Sequence, residues 1–160
     1  MGKEILFRGK RLVGGEWVYG DLRQVEGKSY ILDYDIGDDG ISDIQKIFNI
    51  HHKVDPTTVG QFTGLRARGT RIFEGDIVKQ TYHAETGYVH DGTEMSFDGH
   101  HIGEVIITAY RGVCLRNPLN YSVETDETTV TNQYKNVAAY RSEVIGNKFD
   151  NPELLGGDKP

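Results

Sequence analysis

The chain has 160 residues and a mass of 18.0 kDa, which predicts one domain or two small subdomains. Hydrophobic residues make up 37% and charged residues 26%, which excludes wholesale disorder. The net charge of −6 disfavours generic DNA binding, because phosphate contacts need a positive surface. The single cysteine, Cys114, excludes an internal disulfide framework. Without an apolar run of about 18 residues or a leader-like start, we expect a soluble cytoplasmic protein with no membrane segment.

Residues 1–53 predict an N-terminal β-meander subdomain. Short apolar runs alternate with glycine turns, and Gly14–Gly15 and Glu26–Gly27–Lys28 each indicate a hairpin. Only β geometry suits pieces that are so short and alternating. The acidic stretch Asp33–Asp43 then predicts a loop, and the apolar residues from Ile44 to Ile50 fit either a strand or a short helix.

The β pattern resumes at Gln61 and continues through short apolar runs to Ile145. A single helical turn precedes it, because Asp55 can serve as N-cap and Pro56 as the first helical residue. Residues 151–155 predict a second, capped turn whose leucines pack back on the sheet, and residues 156–160 predict a disordered tail.

Two polar stretches do not fit this pattern, Tyr82–Gly103 and Asn117–Gln133. Both are rich in histidine, threonine or acidic residues, so they predict long hairpin tips or mobile insertions.

Four histidines of the first stretch are weak candidates for metal binding: His83, His90, His100 and His101. Zinc needs three or four converging ligands, and no HExxH motif is present. Adjacent histidines on a strand point to opposite faces, so the His100–His101 pair offers one ligand at most. We therefore expect surface histidines and no bound metal, with contacts that respond to mild acid as a further outcome.

Two motifs for bound ligands are incomplete. Gly27–Lys28–Ser29 ends like a phosphate-binding loop, but Leu22 replaces the glycine that such a loop needs, and a strand pattern follows. A calcium loop that starts at Asp35 would place Lys46 at the twelfth position, where a bidentate carboxylate is required. We therefore expect a hairpin turn, a solvated acidic loop and no cofactor.

Reactive groupings also lack partners, so no catalytic residue is predicted. Cys114 lies between Val113 and Leu115, where a cysteine packs as a small hydrophobe. No GxSxG motif is present. The carboxylates of Glu74 and Asp76 flank Gly75, which fits a turn into the next strand as well as a catalytic pair.

The basic residues cluster once, at Arg66, Arg68 and Arg71 around Gly69. This cluster is an interaction candidate, and a solvated turn is the simpler interpretation in a chain of charge −6. An acidic partner surface suits it better than nucleic acid.

Six segments of the sequence carry a recognisable set of motifs: Glu4–Arg8, Trp17–Gly20, Val54–Leu65, Ile72–Val78, Glu143–Asn147 and Asn151–Leu155. In their order and spacing, from about residue 4 to 155, these segments resemble the YopX family of small phage and prophage proteins. Gln80–Gly103 and Asn117–Gln133 depart from the pattern of the family.

The resemblance implies a mainly β protein with an SH3-like barrel at residues 54–155 and self-association. It implies no catalytic residue, because the family has no assigned activity. We expect a phage-derived, non-enzymatic, self-assembling binding module with an unidentified host or phage protein partner. Two alternatives stay open, a metal-assisted hydrolase that uses the insertion histidines and a weak nucleic-acid binder that uses the Arg66–Arg71 loop.

Overall fold

Antiparallel strands make up most of the protein. The computed structural model describes residues 4–33, 51–86 and 95–156. Two sheets contain the strands of these ranges, so the mainly β fold predicted from the sequence is confirmed. The helical elements in the same ranges are three 3-10 turns, Pro56–Thr58, Ala139–Arg141 and Pro152–Leu155. None of the helices described there has the length and apolar character that a membrane crossing requires.

The first sheet contains six strands: β1 (Phe7–Lys10), β2 (Trp17–Val25), β3 (Lys28–Leu32), β4 (His51–Val54), β5 (Gly60–Ala67) and β6 (Thr70–Phe73). Their order is β4-β3-β2-β1-β5-β6, so β1 to β4 form a meander. Gly14 and Gly15 lie between β1 and β2, and the two-residue turn Glu26–Gly27 joins β2 to β3. Glu26 and Gly27 both have positive φ, as a tight hairpin turn of the right twist requires. Both predicted hairpins are confirmed.

The second sheet contains the other six strands: β7 (Asp76–Thr86), β8 (Met95–Thr108), β9 (Gly112–Ser122), β10 (Glu127–Val130), β11 (Lys135–Asn136) and β12 (Ser142–Asn147). Their order is β10-β9-β8-β7-β12, and β11 also pairs with β9. The expected SH3-like barrel is not confirmed. The described strands leave this sheet open, because β10 and β12 lie at its two ends and do not pair with each other.

The two polar stretches form paired strands over much of their length, which agrees with the expected long hairpins and not with the alternative of mobile insertions. β7 and β8 pair continuously between Tyr82↔Gly99 and Thr86↔Met95. β9 and β10 then form a hairpin inside the second stretch. Backbone pairing in a sheet does not require apolar side chains, so polarity alone was a poor guide to a loop.

The contacts divide the chain into two compact units, Met1–Gly64 and Leu65–Pro160. The first unit has a core of Val18, Ile31 and Val54. The second has a larger core made of Ala67, Ile72, Val78, Val105 and Leu115. Burying one such aliphatic side chain contributes about 1.5–3 kcal/mol. The boundary predicted after residue 53 stays a prediction.

Both predicted helical turns form, and one has the predicted cap. The Asp55 side chain accepts a hydrogen bond from the Thr57 backbone N–H at 3.0 Å, which confirms its role as N-cap. Asn151 makes no such bond, and its Oδ1 instead accepts from the Asn147 N–H at 3.2 Å. The remaining predicted features, the segment 34–50 with its acidic loop and residues 157–160 of the tail, lie outside the described residues.

Candidate functional site

An open cleft of about 640 Å³ lies on the polar part of the second sheet. It combines side chains of β7 and β8 with the residues that lead into β12. The polar residues relevant to its chemistry are Lys79, Thr81, His83, Asp98, His100 and Arg141.

The pairing register explains why these side chains share one face. Thr81 lies opposite His100, and His83 lies opposite Asp98. Alternate residues of a strand point to the same side of the sheet, so each strand contributes every second residue to the cleft. The register is set where β7 and β8 are buried, at Ile77, Val78 and Val105.

His83 and Asp98 form a side-chain hydrogen bond at the outer end of the cleft. The His83 Nδ1 to Asp98 Oδ1 distance is 2.5 Å. The backbone N–H of Asp98 donates to Glu124 Oε1 at 2.7 Å, which lowers the pKa of the Glu124 carboxyl. The one carboxylate among the six polar cleft residues is therefore already paired with an imidazole.

Two cations lie beside the floor of the cleft. Arg141 Nη1 donates to the Thr81 carbonyl at 2.9 Å, which holds the guanidinium against β7. Lys79 lies opposite Glu143 in the β7–β12 ladder, but the Glu143 carboxylate is 3.8 Å from Arg68 Nη1. Lys79 forms no ion pair within the described ranges.

The neighbouring imidazoles His100 and His101 face opposite sides of the sheet. His100 stacks on Tyr121, with ring centroids 4.9 Å apart and planes at 26°. Burial, followed by the positive charge of Lys79, lowers its pKa. His101 packs against Tyr82 at 5.0 Å.

The electrostatic surroundings of His101 are also positive. Burial lowers its pKa to about 4, and the charges of Lys135, Arg141 and His100 act in the same direction. The charges that lower these two pKa values belong to Lys79, Lys135, Arg141 and, for His101, the neighbouring His100.

Gly99 leaves room for a hydrogen bond between the side chain of Tyr82 and the backbone of Tyr121. The Tyr82 hydroxyl donates to the Tyr121 carbonyl at 3.1 Å, across the glycine. A Cβ atom on Gly99 would collide with that carbonyl oxygen and with the tyrosine hydroxyl. The absence of a side chain is therefore required by packing, since no positive φ is involved.

The three histidine candidates that the structure describes do not converge. His83 pairs with Asp98, His100 and His101 lie on opposite faces, and His90 lies outside the described residues. Within residues 4–33, 51–86 and 95–156, no group of three or more histidine, cysteine or acidic residues could hold a metal ion. These ranges therefore offer no set of metal ligands that would support the alternative of a metal-assisted hydrolase.

The arginine cluster lies on the exposed β5–β6 hairpin and not in the cleft. Arg68 and Gly69 have positive φ and form the two-residue turn between these strands. The Arg68 guanidinium is near Glu143, and Arg66 and Arg71 also have interaction partners. An acidic neighbour offsets part of the charge that phosphate binding would need.

Cys114 and Asp76 have structural surroundings. Cys114 is fully buried, and its Sγ contacts the carbonyl of Arg111 at 3.8 Å, which confirms the prediction of core packing. Asp76 is buried and accepts from the Phe73 N–H at 2.7 Å, so it closes the predicted turn.

Sequence reasoning missed Lys79, Thr81 and Arg141. The alternation of Lys79, Thr81 and His83 is a polar signal with a period of two, and it could have indicated one shared face of a strand. Arg141 gave no local signal, because it contacts Thr81 across 60 positions of sequence.

The fold and the cleft define a small protein of two antiparallel sheets whose second sheet carries a polar cleft with two cationic side chains. The family model described as YopX protein matches residues 6–156. The chain therefore belongs to the YopX family, as the six sequence segments predicted. Neither the curated proteins nor the solved structures gave a match.

Proposed function

We propose that this YopX-family chain is a non-enzymatic binding module that associates with a second copy of itself. The observation that supports self-association is the edge strand β10, all four of whose side chains are exposed. Natural edge strands usually avoid pairing through lysine, proline or bulges, and β10 has none of these. Its valine, Val130, is 76% exposed.

The outer side of β10 can form backbone hydrogen bonds. The Thr131 N–H donates to the Pro118 carbonyl of β9, so the N–H groups of Thr128 and Val130 point away from β9 by strand alternation. No described strand pairs with that side. Addition of a strand from a second copy would satisfy these groups.

A two-fold antiparallel pairing centred on Thr129 fits this edge. It places Thr128 opposite the second copy's Val130 as a hydrogen-bonded pair, and it does so twice by symmetry. Glu127 would lie opposite the second copy's Thr131, so the pairing brings no two like charges into opposition. The edge is therefore self-complementary in both hydrogen bonding and charge.

Paired charge variants test this register. In T128E/V130E, two acidic side chains face each other at both symmetric positions, and we expect dimerisation to weaken by about tenfold. In T128K/V130E, opposite charges face each other, and we expect dimerisation to match or exceed that of the wild type. Light scattering and sedimentation over a range of concentrations measure both.

A concentration-independent species of 18.0 kDa for the wild type would contradict self-association. A dimer that both variants leave unchanged would contradict the β10 interface. Both substitutions are on exposed side chains, so circular dichroism is expected to show an unchanged fold.

A phage or prophage origin, a cytoplasmic location in a bacterial host and a further host or phage protein partner complete the proposal. The resemblance of the six sequence segments to the YopX family supports these points. Immunoblotting of fractionated phage-infected cells tests the location, with recovery in the cytoplasmic fraction expected. Recovery in the membrane fraction would contradict it.

A further inference from the structure

The cleft of the second sheet contains two cations that can contact an anion, Lys79 and Arg141, and neither forms an ion pair among the described residues. The carboxylates nearby have other contacts, since Asp98 is hydrogen-bonded to His83 and Glu143, opposite Lys79 in the β7–β12 ladder, is 3.8 Å from Arg68 Nη1. His100 adds an imidazole that can donate a hydrogen bond. An anion in the cleft would therefore have two cationic side chains within reach.

The guanidinium of Arg141 is already oriented. One nitrogen, Nη1, is fixed on the Thr81 carbonyl, and Nε is buried with no hydrogen-bond partner in the part of the chain that the structure describes. A side chain held in place loses little conformational entropy when a ligand binds. The opposing cation, Lys79, is a mobile point charge that suits a phosphate oxygen.

The dimensions indicate a small ligand. A volume of about 640 Å³ falls within the range of about 300–1,000 Å³ that is typical of small-molecule pockets. Tyr140 borders the cleft with 90% of its surface exposed, and the Arg141 guanidinium lies 5.9 Å from its ring centroid. An exposed ring next to a cation suits a ligand that carries both a flat group and an anionic group.

We infer that this cleft binds a phosphate group carried by a small ligand, with Lys79 and Arg141 contacting the phosphate and Tyr140 contacting a neighbouring ring. The inference extends the proposed binding role by naming a ligand class. It does not depend on self-association, because the three residues proposed to contact the ligand lie on β7 and in the segment before β12, whereas the proposed interface is β10.

Calorimetric titration of the full chain tests this inference, with adenosine monophosphate and inorganic phosphate as probes. We expect saturable binding of the nucleotide that weakens as salt rises, because phosphate contacts are ionic. Weaker binding of inorganic phosphate would support a monoester with a ring contact. Equal binding of both probes would support free phosphate as the ligand of the same site.

Three variants locate the binding. K79Q removes a charge that has no ion-pair partner among the described residues, so the fold is expected to remain intact and affinity to fall at least tenfold. R141Q is expected to have a similar effect, with a thermal melt to check folding. R111Q is the matched control, because Arg111 lies in the turn after β8, eight residues or more from His100 along the chain.

Three results would overturn the inference. One is the absence of saturation by either probe up to 10 mM, a limit of about −3 kcal/mol of binding free energy. Another is undiminished binding by K79Q and R141Q. Tight binding of a single-stranded oligonucleotide in place of the nucleotide would also overturn it, in favour of a nucleic-acid surface. Measurement of the oligomer mass on the same samples shows separately whether self-association occurs, so a failure of ligand binding can be distinguished from a failure of self-association.

Discussion

The two units of the chain use antiparallel strands for different purposes. In the first unit, the meander strands β1 to β4 have four to nine residues, a two-residue turn joins β2 to β3, and the strands contribute residues to a small core. In the second unit, β7 and β8 have 11 and 14 residues and extend beyond the buried cluster. Their buried part fixes the register, and their polar part presents the cleft. Strands that extend beyond the buried core can thus hold polar side chains in position, because the buried part of each strand fixes the register of the rest.

The largest expected effect tests whether the core holds the polar part in place. Leu115→Ala removes a fully buried side chain from the core of the second unit, and we expect a loss of about 2–5 kcal/mol of unfolding free energy. Amide hydrogen exchange near Gly99 should rise along with it. Denaturant unfolding and exchange measured by mass spectrometry check both.

The matched control is Val13→Ala in the first unit, where the side chain is exposed and the expected change is within about 0.5 kcal/mol. Unchanged exchange around Gly99 in the Leu115→Ala variant would show that the polar strands hold together independently of the core.

A second substitution tests the polar part directly. Gly99→Ala forces a methyl group against the Tyr121 carbonyl and the Tyr82 hydroxyl, and we expect a loss of about 1–3 kcal/mol. Thermal unfolding measures it. Ser96→Ala, at an exposed position of the same strand, should change stability by less than about 0.5 kcal/mol. Equal stabilities of the two variants would contradict the close contact at Gly99.

The third effect is a dependence of stability on pH. The pKa of His101 is about 4 in the folded protein and 6.5 when unperturbed, so the unfolded chain binds more protons between these values. The stabilisation is complete above pH 6.5 and is lost as the pH falls towards 4. Allowing for partial exposure, the loss is about 1–2 kcal/mol.

His101→Gln should reduce this loss in urea unfolding measured from pH 7 to pH 4, because glutamine does not titrate. The surrounding cations Lys135, Arg141 and His100 remain in the variant. An identical pH slope in wild type and variant would show that His101 is not the titrating group.

The smallest effect is expected in the first unit. Asp55→Ala removes the cap of the 3-10 turn Pro56–Thr58, at a cost of about 1 kcal/mol. Asp55→Asn keeps an acceptor oxygen and should retain most of the stability. Chemical denaturation compares the two, and equal losses would mean that the charge matters and the hydrogen bond does not.

Local sequence signals predicted the local parts of the fold. Glu26–Gly27 and Asp55–Pro56 specify their turns through backbone preference and a nearby side chain, so no distant residue is needed. The burial of Cys114 followed from its apolar neighbours. The segments that resemble the YopX family predicted membership of it, and the match of the family model over residues 6–156 confirms this prediction.

The cleft could not be predicted in the same way. The polar part of β7 and β8 lacks apolar alternation, and its strand signal is limited to the polar alternation of Lys79, Thr81 and His83. The hydrogen bond between His83 and Asp98 depends on the register of a long hairpin, and the Arg141 contact with Thr81 depends on the order of strands in the sheet. Both are properties of tertiary structure.

His100 and His101 are consecutive residues whose rings lie on the two sides of one sheet, and the charge of His100 acts on its neighbour. An anion held beside His100 would therefore be sensed electrostatically by a ring that it never touches. Nuclear magnetic resonance signals of the His101 imidazole would therefore report whether the cleft is occupied, although this ring lies on the opposite face of the sheet.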